Sequence, residues 1–208
     1  MSVRAPLRST LGRWVGAVCL LAGGSAQAAL VTVAVSGKNG KPLGSAVIAV
    51  IVKDARSVAA AGTMAQVAQK DRQFQPQLSV IQTGTSVLFP NFDTVRHHVY
   101  SFSPIRTFEL KLYAGTPTAP VVFDKPGFAA LGCNIHDRMS AWIVVVDTPY
   151  FAKTDAAGVA VLELPAGEHR LRAWHPQMTE STPWVEQPLR VGAQADRVAL
   201  SLPVEAGL

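Results

Sequence analysis

The chain has 208 residues, 49% of them hydrophobic and 16% charged, with a formal net charge of +5. That excess is local: residues 29–208 carry 16 basic against 14 acidic side chains, a net +2, because Arg4, Arg8 and Arg13 all precede the first acidic residue. The basic residues are scattered and never clustered with aromatics, which excludes a nucleic-acid-binding reading. Past the first stretch, no apolar run approaches the roughly 20 residues that span a bilayer as a helix.

Residues 1–28 read as a cleaved signal peptide. Three arginines form a basic start, residues 14–24 are apolar, and Ala26-Gln27-Ala28 supplies the small-x-small pattern before Ala29. Eleven apolar residues are too few for a transmembrane anchor. Cys19 falls within this segment, so the mature chain keeps a single cysteine, Cys133. In an exported protein, where cysteines normally pair, a lone thiol is either buried and inert or bound to a metal.

From there on the chain reads as strands. Residues 30–35 alternate apolar and polar, 37–42 turn, and 46–52 form an apolar β-branched run. Segments 78–81 and 86–89 flank a turn at 82–85, and 95–102, 108–112, 121–123 and 141–146 follow. A further set covers 159–164, 169–174 and 197–202. The alanine-rich stretch 57–68 is the one helical candidate, and it reads equally well as a flexible connector. Strands every eight to twelve residues imply an all-β chain built of antiparallel sandwiches.

The informative segment is Gly132-Cys133-Asn134-Ile135-His136-Asp137-Arg138-Met139. It offers a thiolate, an imidazole and a thioether at i, i+3 and i+6 in a loop that joins two core strands. Soft sulfur ligands with imidazole select copper, and a trigonal His₂Cys set with a weak axial Met marks blue-copper electron-transfer sites. The second histidine must come from elsewhere, and His97 and His98 are adjacent candidates on the strand 95–102. Strand alternation does not choose between them. Val95 and Val99 share a face with His97, while Tyr100 and Phe102 share one with His98. His169 and His175 read as ordinary surface or loop histidines, Trp142 as a core residue, and Glu109, Asp124 and Asp137 form no acid–base pair.

Residues 65–147 resemble the cupredoxin family, the plastocyanin- and amicyanin-like small blue copper proteins. The likeness is carried by Phe74-Gln75-Pro76, by Gly84 through Asn91, by His97-His98-Val99, by Phe123 through Gly127, and by Cys133-x-x-His136-x-x-Met139. Proteins of this type are often described as methylamine-utilisation proteins. The resemblance implies one copper ion cycling between Cu(I) and Cu(II), with His97, Cys133 and His136 as ligands and Met139 as the axial one. It further implies a redox partner protein and no small-molecule substrate or catalytic residue. His98 stands where the family usually has an asparagine that hydrogen-bonds the ligand loop, and Asp137 and Arg138 put charges where family members carry an apolar docking patch.

Residues 29–56 and 148–208 resemble a carboxypeptidase-regulatory-like sandwich interrupted by the copper domain. The expected architecture is therefore an antiparallel Greek-key cupredoxin sandwich plus a second small β-sandwich. The expected function is that of a periplasmic one-electron carrier, soluble after signal cleavage. Competing readings are copper delivery or storage with the same ligands, and a metal-free interaction module. A multicopper oxidase or reductase would need further histidine clusters, and only His169 and His175 remain.

Overall fold

The computed structural model describes residues 28–179 and 181–207, so the signal segment expected at 1–28 lies, except for Ala28, outside the described residues. The chain runs through β1 (Ala28–Ser36), β2 (Val47–Ile51), β3 (Met64–Gln66), β4 (Ala68–Lys70), β5 (Gln73–Gln75) and β6 (Leu78–Gln82). It continues through β7 (Thr85–Leu88), β8 (His97–Ser101), β9 (Phe108–Tyr113), β10 (Val121–Phe123), β11 (Gly127–Gly132) and β12 (Ser140–Val146). The last strands are β13 (Phe151–Lys153), β14 (Val159–Pro165), β15 (Gly167–Trp174), β16 (Val185–Val191) and β17 (Asp196–Ser201), with a 3₁₀ turn at Pro176–Met178. The fold is all-β.

Period-two patterning decides which faces are buried. On β1, Val31, Val33 and Val35 turn inward while Leu30 is exposed. The first two strands find their partners at the far end of the chain. One sheet has the order β14-β1-β17 and another the order β13-β2-β15-β16. Between them lies a core of Val31, Val33, Ile48, Val50, Leu164, Leu171 and Trp174, among others. The intervening strands make a five-stranded sheet, β6-β12-β11-β8-β9, and a three-stranded one, β10-β7-β3. Their core contains Phe74, Val87, Phe89, Val99, Phe123, Leu131, Ile143 and Val145, together with Cys133 and Met139. Most pairings are antiparallel; β1–β17, β3–β7 and β6–β12 are parallel.

The five-stranded sheet is buried on both sides at β12. Ala141, Ile143 and Val145 of β12 face the core that holds Cys133, whereas Val144 and Val146 pack into the other core. Trp142 points the same way, and Phe128 stacks on Trp174 at 4.4 Å between ring centroids, with Trp142 edge-on to Trp174 at 5.2 Å. Trp142 is thus a packing residue.

Segment 57–68 forms no helix. Residue 58 bridges to Thr83, β3 and β4 occupy its end, and Gly62 sits at φ +81° in a turn. A glycine inside a single short helix costs about 1 kcal/mol, and a helix of that length is marginal alone, so pairing of β3 with β7 wins. Strand β16 escapes the sequence pattern because Pro188 interrupts it. It is tolerated because β16 lies at a sheet edge, paired only with β15. Strands β3, β4, β5 and β13 have three residues each, too few to show a period.

Trp174 is fully buried at the end of β15, and its aromatic contacts with Phe128 and Trp142 join the five-stranded sheet to the second core. Trp174→Ala should lower unfolding stability by about 3–5 kcal/mol, the usual range for removing a buried aromatic. Urea denaturation checks this, and a loss under about 1 kcal/mol would show that the second core does not support the five-stranded sheet.

Candidate metal centre

The candidate ligands come from two places in the same core. β8 supplies His97, and the loop between β11 and β12 supplies Cys133, His136 and Met139. The loop is closed by the Met139 amide donating to the His136 carbonyl at 2.9 Å. Its entry depends on Gly132, whose backbone lies under the Tyr100 ring. A Cβ built there would sit 2.5 Å from that ring, so any larger residue would displace Tyr100.

One donor atom each from His97, Cys133 and His136 lie within 4.8 Å of one another. The Cys133 sulfur is 3.9 Å from His136 Nδ1, and the His97 and His136 rings are 4.9 Å apart between centroids. His97 and Cys133 are buried, and His136 is partly exposed. Met139 is buried beside Cys133 in the same core, and both border a surface cleft of about 530 Å³ lined also by Tyr100, Gly132 and Asp137.

The two adjacent histidines separate cleanly. His97 shares its face with Val99, which packs in the core with Cys133. His98 shares its face with Tyr100 and Phe102, whose rings continue from it at 5.5 and 5.0 Å. Both are buried, and β8 and β9 shift register here: His97 faces Tyr113 and Val99 faces Leu110. His98 does not take the place of the asparagine expected to bind the ligand loop. Its Nε2 lies 2.8 Å from Glu109 of β9 instead.

Around His97 the structure adds residues that sequence reasoning passes over. Asp93 Oδ2 is 2.7 Å from His97 Nε2. Burial pushes the Asp93 carboxyl upward, but the Arg72 amide, the His97 side chain and the Asp71 amide outweigh it and hold the group below its ordinary value. Asn91 Nδ2 donates to the carbonyls of Val95 and Tyr113, at 2.8 and 3.0 Å, which fixes the turn carrying Asp93. The Tyr113 hydroxyl donates to the Phe89 carbonyl at 2.6 Å and meets buried Gln69, and burial pushes this phenol up to about 12. A carboxylate four residues before a candidate ligand histidine was the available signal for Asp93.

The residues fit a metal ion. His97 Nε2 is engaged by Asp93, while its Nδ1 is buried with no hydrogen-bond partner, so one ring nitrogen is left for coordination. A thiolate with two imidazoles is a donor set suited to a single copper ion. Of the other histidines, His169 Nε2 bonds the Pro165 carbonyl and His175 caps the 3₁₀ turn, and neither joins the cluster.

No protein-family model and no curated protein matches the chain. Solved structures do match. The structural neighbours are cupredoxins. They include an amicyanin from Paracoccus versutus (18% identity, 47% of this chain and 96% of that one, TM-score 0.34). A purple cupredoxin from Nitrosopumilus maritimus matches at 22% identity over 39% of this chain and 98% of that one, TM-score 0.35. A copper-containing nitrite reductase from Thermus scotoductus matches at 24% identity and TM-score 0.37, and the match covers 42% of this chain but only 25% of that one. Among the described residues no helix is long and apolar enough to cross a membrane.

The division between the two histidines has a direct test. Copper titration of His97→Ala should show affinity reduced by more than the ten- to hundredfold typical of losing an outer-shell partner. External imidazole should restore part of it. His98→Ala should bind copper nearly as the parent does, and the reverse pattern would exchange their roles.

Proposed function

We propose that this protein is a periplasmic type 1 copper protein that carries single electrons, with His97, Cys133 and His136 as equatorial ligands and Met139 as a weak axial one. The observation that carries the reading is the His97–Cys133–His136 cluster, assembled in the core between β8 and the β11–β12 loop. Copper in such a site supplies one-electron exchange between Cu(I) and Cu(II).

The protein's own contribution is to hold the donors still. Cys133 is anchored between Gly132 of β11 and the turn closed at Met139, and His97 is locked by Asp93. A site so constrained rearranges little when its charge changes. His136, partly exposed where its two companions are buried, gives the shortest through-ring route to a redox partner protein. Asp137 and Arg138 flank it in exposed positions, so the partner surface would answer those charges. The reading includes no substrate and no catalytic residue.

The chain division proposed with it assigns residues 65–147 to the copper domain and 29–56 with 148–208 to a supporting sandwich. The sheet orders support this, since β1 and β2 share sheets only with strands β13 to β17. Residues 1–28 act as the export signal, which places the copper domain where copper is loaded outside the cytoplasm.

Oxidised, copper-loaded protein should absorb intensely in the visible through thiolate-to-Cu(II) charge transfer. Cys133→Ser should abolish that band, because a hydroxyl does not replace a soft thiolate. A parent protein that binds Cu(II) yet stays colourless would replace electron transfer with copper delivery. Met139→Gln should keep its copper while the reduction potential falls. Voltammetry reads this, and complete loss of copper would show Met139 to be a principal ligand.

A further inference from the structure

Asp93 is tied down to a degree that an ordinary loop carboxylate is not. Its Oδ1 accepts from the Asp71 amide at 2.7 Å, and its Oδ2 accepts from the Arg72 amide at 3.0 Å. Oδ2 also lies 2.7 Å from His97 Nε2, and the Asp93 amide donates to Asn91 Oδ1 at 2.9 Å. The two donating amides belong to the turn between β4 and β5, where Asp71 and Arg72 both have left-handed backbones, φ +57° and +56°. Non-glycine residues pay about 1–2 kcal/mol each for that conformation, although aspartate tolerates it better. The turn therefore needs compensation, and the contact with Asp93 offers it.

Both carboxyl oxygens of Asp93 already accept from backbone amides, so the group faces His97 as an acceptor too. His97 Nε2, facing it at 2.7 Å, must carry the proton. In the neutral ring the lone pair then sits on Nδ1, the atom that is buried without a partner. Outer-shell carboxylates of this kind fix the tautomer and orientation of a ligand histidine and strengthen it as a donor.

We infer that Asp93, clamped by the β4–β5 turn, is a positioning residue that holds His97 as the Nε2–H tautomer and thereby sets how firmly the centre holds Cu(II). This rests on the copper reading for its second half, while the tautomer is a property of the metal-free protein. If Asp93 served the turn alone, replacing it would alter stability and leave both the tautomer and the potential untouched.

Long-range proton–nitrogen NMR on ¹⁵N-labelled, metal-free protein in mildly alkaline buffer reads the tautomer directly. The parent should show His97 as Nε2–H alone. Asp93→Asn, whose amide can donate as well as accept, should show a mixture of the two tautomers. In the copper-loaded form, Asp93→Asn should weaken Cu(II) binding about ten- to hundredfold. Cu(I) binding should weaken less, so the reduction potential should rise. A parent His97 in the Nδ1–H form overturns the proposal, as does an Asp93→Asn protein with parental tautomer and potential. Should Asp93→Asn fail to fold, the parent tautomer still decides. A parent with the expected tautomer and no affinity for copper would instead overturn the metal reading and its effect on Cu(II), leaving the clamp itself standing.

Discussion

Strand β12 is buried on both faces, and much of the molecule follows from that. Its sequence is an almost unbroken apolar run because neither side meets water. Ala141, Ile143 and Val145 complete the wall behind Cys133, and Trp142, Val144 and Val146 complete the wall of the second core. The loop that brings Cys133, His136 and Met139 together ends where this strand begins. The candidate centre is thus anchored to a strand packed on both faces, and the second core backs it from the other side.

On the opposite side the constraint is polar. His97 is fully buried, and a buried imidazole needs partners for both nitrogens. One partner is Asp93; the other is missing among the protein atoms. Gln69, Tyr113 and Asn91 surround this arrangement with bonds to the carbonyls of Phe89, Val95 and Tyr113, so the surroundings of His97 are held by hydrogen bonds where β12 is held by packing. A metal site with one wall of each kind has little freedom to change shape when its charge changes.

The sequence showed the elements with long, regular periods and the ligand loop, whose chemistry lies within seven consecutive residues. Strands β1, β2, β6 and β14 fall close to their expected places because alternation and turn residues agree there. What stayed hidden has physical causes. Three-residue strands carry no period, and β16 carries a proline that only an edge position excuses. The alanines of 57–68 favour a helix locally, and that preference is overruled by pairing with a strand distant in sequence. Asp93 offered only its spacing, four residues before His97; the rest of its value depends on two backbone amides, and amides have no sequence signature. Choosing between His97 and His98 required knowing which face of β8 meets Cys133, a fact of tertiary packing.

The parallel pairing of β1 with β17 has a consequence for the order of assembly. Val31 is matched to Asp196, and β1 finds its other neighbour, β14, only slightly earlier in the chain. Closing so long a loop is slow relative to forming local hairpins. Strands β3 to β12 lie together in sequence and make their own core, so they can collapse while β1 and β2 still wait with open edges. Until the last strand emerges, those edges are available to any other unfinished chain, which gives a chaperone a defined segment to shield.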